Sequence, residues 1–184
     1  MIDEKFLSGY AIRKLEDGEH ISLFDCGDED LNDFLINDAP LYNKALLAKT
    51  YILQDKTTQK TIAYFSIAND RISIDDFPNN TEFNRFRKNK FVNEKRMKSY
   101  PAIKICRLGI DKSMQGKQIG TFLIDFIETL FVVNNNSGCR FISVDAYNQA
   151  IPFYQKNDFE FLCTSNDQQR TRLMFFDLTD LQEE

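Results

Sequence analysis

One stretch constrains the fold more than any other. An apolar run, a glycine-bearing loop, an apolar helix and a second apolar run follow one another between residues 102 and 146. The first run, Ala102-Ile103-Lys104-Ile105-Cys106-Arg107-Leu108-Gly109-Ile110, reads as a strand. From about Lys117 to Val133, Phe122, Leu123, Phe126, Ile127 and Leu130 recur at helical spacing and give the segment one strong apolar stripe. Asn134-Asn135-Asn136-Ser137-Gly138 ends that helix, and Cys139 to Ala146 reads as a buried strand. A strand, a helix and a strand in this order return the chain parallel to itself through a crossover. Gly109 inside a strand marks a bulge or the close approach of another backbone.

The segments before this unit read as a meander. Tyr10 to Leu15 alternates weakly, as a first strand. Asp28 can cap a helix in which Leu31, Phe34 and Leu35 share a face. A second short helix is expected after Pro40, with Leu41, Ala45 and Ala48 inward. Thr50 to Gln54 and Thr61 to Ala68 read as paired strands, which Asn69 to Asp76 extends or returns. Pro78 and Asn79-Asn80 open an excursion with a short helix over 75–100; its Phe83, Phe86, Phe91 and Val92 are too few for a core of their own. After the crossover, Asn148 to Asn157 reads as a short helix and Phe159 to Leu162 starts a strand. Arg170 to Leu178 is a last strand, with Leu173 and Phe175 on one face. The order predicts an α/β (α+β) single domain over 1–184, with a largely antiparallel sheet and one parallel crossover.

Bulk properties exclude several classes. With 42% hydrophobic and 28% charged residues, the 184-residue chain has the composition of a soluble globular protein. Seventeen Phe and no Trp read as core filler. The four cysteines, Cys26, Cys106, Cys139 and Cys163, show no CxxC spacing and read as buried free thiols of a reducing cytoplasm. The single histidine, His20, lies in a polar stretch and cannot build a multi-histidine metal site. MIDEKFLSGY has neither a basic n-region nor an apolar h-region, and no run approaches a membrane span. Net charge is −5, yet Asn79 to Tyr100 carries +5 and the remainder −10. The basic residues of that segment are Arg85, Arg87, Lys88, Lys90, Lys95, Arg96 and Lys98.

Two motifs carry chemistry. Gln115-Gly116-Lys117-Gln118-Ile119-Gly120 joins the strand to the apolar helix. A helix start offers unpaired amides and the positive end of a dipole, and glycines let backbone close around phosphate oxygens. The alternative is a plain turn with a tight helix–strand contact. Neither a P-loop nor a Gly-x-Gly-x-x-Gly fingerprint is present. Downstream, Phe153 and Tyr154 are adjacent on a short helix and point about 100° apart, so one can face inward and one a cleft; the alternative is an aromatic pair that closes the core.

Together these motifs resemble the GNAT superfamily of acyl-CoA-dependent N-acyltransferases. The family's motif A, Gln/Arg-x-x-Gly-x-Gly/Ala after a strand, here reads Gln115-Gly116-Lys117-Gln118-Ile119-Gly120, without its central glycine. Its following Asn-x-x-Ala-x-x-Phe-Tyr-x-x-x-Gly-Phe pattern is nearly matched by Asn148 to Phe159. Gln118 and Asp158 stand where the family has glycine. Gln118 needs only ordinary helical dihedrals if it lies in the first turn of the helix, and a different turn or a positive φ is expected at Asp158. The first half resembles the toxin acetyltransferases, which are paired with antitoxins and acetylate aminoacyl-tRNA. The resemblance rests on Phe24-Asp25-Cys26-Gly27, Leu31-Asn32-Asp33-Phe34-Leu35, Asn43-Lys44-Ala45, Thr50-Tyr51-Ile52-Leu53, Ala63-Tyr64-Phe65-Ser66-Ile67-Ala68, Tyr100-Pro101 and Arg107-Leu108-Gly109-Ile110-Asp111.

The resemblance implies a mixed sheet of about six to seven strands, helices on both faces and a splayed parallel pair. It implies acetyl-CoA as donor, coenzyme A as product and no metal. Main-chain groups of Leu108, Gly109 and Ile110 would pair with the pantetheine arm. Gln115, Gly116, Lys117, Gln118, Ile119, Gly120 and Thr121 would hold the pyrophosphate, and Asn148 and Phe153 would complete the cofactor site. Tyr154 matches the family's general acid to the departing thiolate. Asp75, Asp76, Asp111 and Asp145 are base candidates by position near strand ends, although an α-amino group is already largely neutral near pH ~8.

Three functions follow from these readings. The first is an N-acetyltransferase acting on a primary amine. The second is a toxin-type enzyme acting on aminoacyl-tRNA, with Arg85, Arg87 and Lys88 of the basic excursion, interleaved with its phenylalanines, touching substrate; pI near 5.0 weighs against it. The third is a non-catalytic acyl-CoA-binding protein, which Tyr154 argues against. An antitoxin protein is a partner on the second reading, a homodimer is the expected assembly, and no membrane partner is expected.

Overall fold

A computed structural model describes residues 8–21, 23–91, 97–133, 138–163 and 170–182. The strands are β1 (Tyr10–Lys14), β2 (Lys49–Asp55), β3 (Thr61–Ser73), β4 (Ser99–Ile110), β5 (Phe141–Tyr147), β6 (Glu160–Phe161) and β7 (Thr171–Asp177). The helices are α1 (Glu29–Asp33), α2 (Ala39–Lys44), α3 (Asn80–Lys90), α4 (Ile119–Val132) and α5 (Ile151–Lys156). One seven-stranded sheet has the order β1-β2-β3-β4-β5-β7-β6.

The expected crossover is present. β4 and β5 pair parallel over Ala102–Lys104 and Phe141–Ser143, and β1–β2, β2–β3, β5–β7 and β6–β7 pair antiparallel. The Ile74 amide donates to Lys98 O at 3.0 Å and the Asp111 amide to Ile62 O at 2.9 Å, so β3 and β4 are also antiparallel.

The chain divides into two compact units, Met1–Ala68 with Ile105–Ile127, and Asn69–Lys104 with Glu128–Glu184. In the first, Asp28 caps α1 as expected, accepting from the Leu31 amide at 3.1 Å. Helix continues without a break, because a π-helical turn, Phe34–Asp38, joins α1 to α2. The wide turn shifts the phase of α2. Ala39 and Asn43 therefore face inward, whereas Leu41 and Ala45, expected inside, are exposed; only Ala48 follows expectation. The buried Asn43 side chain is satisfied, donating to Leu15 O at 2.9 Å and accepting from the Thr50 amide at 3.0 Å. The stripe of α4 is also rotated: Ile119, Gly120, Leu123, Ile124 and Ile127 are buried, and Phe122, Phe126 and Leu130 only partly.

In the second unit, Asn79 caps α3, accepting from the Thr81 and Glu82 amides at 3.0 Å. Phe83, Phe86 and Phe91 do not stand out on an excursion; they pack with Ile72, Tyr100, Phe141 and Phe175 in one core cluster. Leu173 and Phe175 join that cluster, as their alternation predicted. Val92 to Arg96, the Asn134–Ser137 linker and most of the N-terminal decapeptide lie outside the described residues.

Candidate active site

The β4 end and the loop after it lie in the first unit. Gly109 is tightly enclosed, but by a side chain rather than by backbone: an added Cβ would stand 2.7 Å from Tyr64 Cε1. The Tyr64 ring is fully buried, meets Phe24 edge-on at 5.4 Å and donates its hydroxyl to Leu31 O at 2.7 Å. It cannot move aside without breaking that bond. Gly109→Ala is therefore expected to cost about 1–3 kcal/mol by overpacking, read from a denaturant midpoint at unchanged slope.

Beyond β4, Asp111 caps the turn Lys112–Met114. Gln115, Gly116, Lys117 and Gln118 are all exposed. Gly116 has φ 76°, with nothing within 4 Å of the position a Cβ would take. Gln118 has φ 61° and precedes the helix, which corrects the expectation of helical dihedrals there. The Phe122 amide closes on Gln118 O at 3.1 Å, so the amides of Ile119, Gly120 and Thr121 have no intrahelical acceptor. An open loop with left-handed backbone, ending in helix-start amides that have no intrahelical acceptor, has the form of an anion cradle.

Gln115 does something its motif did not announce. Its Nε2 donates to Cys26 O at 2.8 Å and to Ile110 O at 3.0 Å. Lys112 reinforces the staple: its amide donates to Asp25 O at 2.8 Å and its Nζ meets Asp25 Oδ2 at 2.8 Å. The Lys112 ammonium holds the Asp25 carboxyl below its ordinary value. The side chain of Gln115 thus fixes the loop before α1 to the loop before α4. Nothing in the local sequence signals a contact across so long a separation.

Asn148, Phe153 and Tyr154 lie in the second unit. Asn148 opens a tight turn, Asn148–Ala150, that leads into α5 and is itself exposed. Of the aromatic pair, Tyr154 is the inward residue at 6% exposure, and Phe153 is half-buried. The end of α5 locks Tyr154. The Asp158 amide bonds to Gln155 O at 3.2 Å and the Phe159 amide to Tyr154 O at 3.1 Å, a paired capping motif with Asp158 at φ 61°. Phe159 then stacks edge-on against Tyr154 at 5.3 Å. Of the two geometries expected at Asp158, the positive φ is the one found. Glycine is unstrained there, so Asp158→Gly should raise stability by up to about 1 kcal/mol, measured by chemical denaturation.

Burial pushes the Tyr154 phenol well above its ordinary value. Among the described residues its hydroxyl meets no hydrogen-bond partner. The group is a protonated donor at any physiological pH.

The acids near strand ends are mostly engaged. Asp76 caps its own turn through Ser73, and Asp145 pairs with Lys104 at 2.5 Å. Burial raises the Asp111 carboxyl, but Ser113 and Lys60 outweigh it and leave it below its ordinary value. A depressed carboxyl is a weak base. Asp75 is exposed. Arg85 and Lys88 are exposed on α3, while Arg87 lies over the Phe83 ring at 5.9 Å and donates to Asn84. Arg85 also lines a cavity of about 210 Å³ with Phe77, Phe86, Lys90, Glu160 and Phe161. The four cysteines are free but only partly buried, not fully as expected; burial lifts the Cys139 thiol to about 11. Among the described residues, no group of three or more His, Cys, Asp or Glu could hold a metal, and no helix is long and apolar enough to cross a membrane.

A family model described as the acetyltransferase (GNAT) domain matches residues 73–179. The match spans more than half of the chain, so this protein belongs to the GNAT acetyltransferases and is an acyltransferase. The search of curated proteins gave no match. Among solved structures, a tyrosine-to-phenylalanine mutant of KacT is similar at TM-score 0.76 and 20% identity, over 95% of this chain and 98% of that one. AtaTR bound with AcCoA is similar at 0.75 and 22%, over 96% and 98%. AtaT complexed with acetyl-methionyl-tRNAfMet is similar at 0.72 and 21%, over 95% and 98%. Likeness at these identities establishes the shared fold.

Proposed function

We propose that this protein, acting as one catalytic domain, transfers the acetyl group of acetyl-CoA to the α-amino group of an aminoacyl-tRNA. The observation that carries the donor is the exposed Gln115–Gln118 loop, with left-handed backbone at Gly116 and Gln118 before the helix-start amides of Ile119 to Thr121. Those amides and Lys117 hold the pyrophosphate. Main-chain groups of Leu108 to Ile110 pair with the pantetheine arm, and Asn148 and Phe153 are the further cofactor-binding residues that the family resemblance implies. Tyr154 gives its proton to the departing thiolate, since burial keeps it protonated while the amine is neutral. The amine needs no strong base, because an α-amino group has a pKa of about 7.7–8.0 and is largely neutral just above it.

The acceptor reading is supported by likeness, over nearly the full length of both chains, to AtaT complexed with acetyl-methionyl-tRNAfMet. The exposed Arg85 and Lys88 on α3 offer charge for phosphate contacts. A solved AtaT mutant is bound to the C-terminus of the antitoxin AtaR, which supports an antitoxin as this chain's partner. The acidic pI near 5.0 favours the second reading, a smaller primary amine.

Labelled acetyl-CoA offered with charged tRNA, small amines and peptides tests this directly. Label on the charged tRNA, lost when Arg85 and Lys88 are both reversed to Glu, is the expected outcome. Label on a small amine or peptide with none on tRNA overturns the acceptor reading. Acetyl-CoA at a hundredfold excess over its Kd should stabilise the fold by about 2.7 kcal/mol; no shift overturns the donor reading.

A further inference from the structure

Helix α2 ends on a strained residue. Ala45 closes it, and Leu46 follows with φ 58°. The Leu46 amide bonds back to Asn43 O at 3.1 Å and the Leu47 amide to Tyr42 O at 3.0 Å. This is the paired cap found at the end of α5, whose left-handed position suits glycine. At α5 the chain fills that position with Asp158, a polar residue exposed to water. At α2 it uses leucine, which carries the steric strain of a Cβ in this conformation.

Packing within the chain does not offset that strain, because Leu46 is 80% exposed. Its neighbours share the exposure: Leu41 is 63%, Leu47 62% and Tyr42 41% exposed. Isolated apolar side chains on a surface are ordinary, but large ones gathered on one helix end mark an interaction site. Strain held in an exposed leucine points the same way.

The rim defines the partner. Lys44 and Lys49 are exposed beside the patch, with Lys49 Nζ also 3.5 Å from Asn43 O; Asp38, a turn earlier, is half-buried. Two copies meeting about a twofold axis through this patch would bring lysines towards lysines, which disfavours self-association. We propose that Leu41, Tyr42, Leu46 and Leu47 form the docking surface for a segment of a partner protein that carries aliphatic side chains flanked by Asp or Glu. The aliphatic groups cover the leucines, and the carboxylates meet Lys44 and Lys49. This surface goes beyond the acetyl transfer and is independent of which amine accepts the acetyl group.

The experiment uses the full chain and two synthetic helical peptides, with leucines at i, i+3, i+4 and i+7 and either Glu or Lys elsewhere. Binding is read by fluorescence anisotropy. The Glu peptide should bind about tenfold or more tighter than the Lys peptide. Leu46→Gly should raise Tm by roughly 2–4 °C as strain is relieved, yet weaken the Glu peptide about tenfold. Lys44→Glu with Lys49→Glu should reverse the order of the two peptides. The proposal is overturned by equal binding of both peptides, by binding of neither, or by binding that all variants leave unchanged. A sedimentation result showing a wild-type dimer that Leu46→Gly dissociates would also overturn it, in favour of a second copy.

Discussion

Tyr154→Phe is expected to lower kcat by about 10²–10⁴ while leaving the KM for acetyl-CoA nearly unchanged. The substitution removes one oxygen and keeps the ring that meets Phe153 at 5.1 Å and Phe159 at 5.3 Å. Among the described residues no hydrogen bond of the hydroxyl is lost, so the fold should stay within about 1 kcal/mol of wild type. A loss of proton donation and a loss of packing are therefore separable in one variant. The pH profile adds a second reading. Burial raises the phenol above its ordinary value, so the wild-type rate should rise as the amine loses its proton and should not fall through the usual tyrosine range near ~10. A fall there, or equal kcat in the variant, would remove Tyr154 from the role of acid.

The largest loss of stability is expected from Asp177→Ala, about 3–5 kcal/mol. Asp177 ends β7 at 2% exposure and gathers three elements of its unit. Arg140 Nη2 donates to its Oδ2 at 3.0 Å, and Arg140 Nε lies 2.7 Å from Oδ1, off the axis of a hydrogen bond. Lys90, at the end of α3, stands 3.6 Å away, and Thr179 donates both its amide and its hydroxyl. Arg140 in turn donates to Lys90 O at 3.0 Å and lies over the Phe91 ring at 5.0 Å. Removing the carboxylate leaves a half-buried guanidinium and an ammonium without their counter-charge. Asp177→Asn keeps the shape and the acceptor but not the charge, so it should cost less. Equal midpoints for wild type and Asp177→Ala in urea would show that the cluster contributes no net stability.

Asp177, Arg140 and Lys90 illustrate what a sequence hides. None belongs to a motif, and Lys90 reads as one more charge on a basic segment. The same holds for Phe83, Phe86 and Phe91, which interleave with cations in the sequence but pack inward in the fold. Motif residues were legible to a different depth. Gln115 was found as part of an anion loop, yet its side chain is committed to Cys26 O and Ile110 O. Tyr154 was found as one of a pair, and only packing against Phe159 decided that it is the buried one.

By itself the sequence determined what short windows encode: the strand–helix–strand crossover, the cap at Asp28, and the loop from Gln115 to Gly120. Caps, turns and apolar periodicity depend on neighbours a few residues apart, so local patterns suffice. Tertiary structure alone decided the rotation of α2 after its π-helical turn, the left-handed backbone at Gln118, the filling of Gly109 by Tyr64 and the burial of Asp177. The filling of Gly109 and the burial of Asp177 rest on contacts between residues far apart in the chain, and the backbone at Gln118 and the π-helical turn depart from the regular geometry that periodicity assumes. The periodicity of a helix shows that it has an inner face, but the partner packed against it determines which residues that face holds.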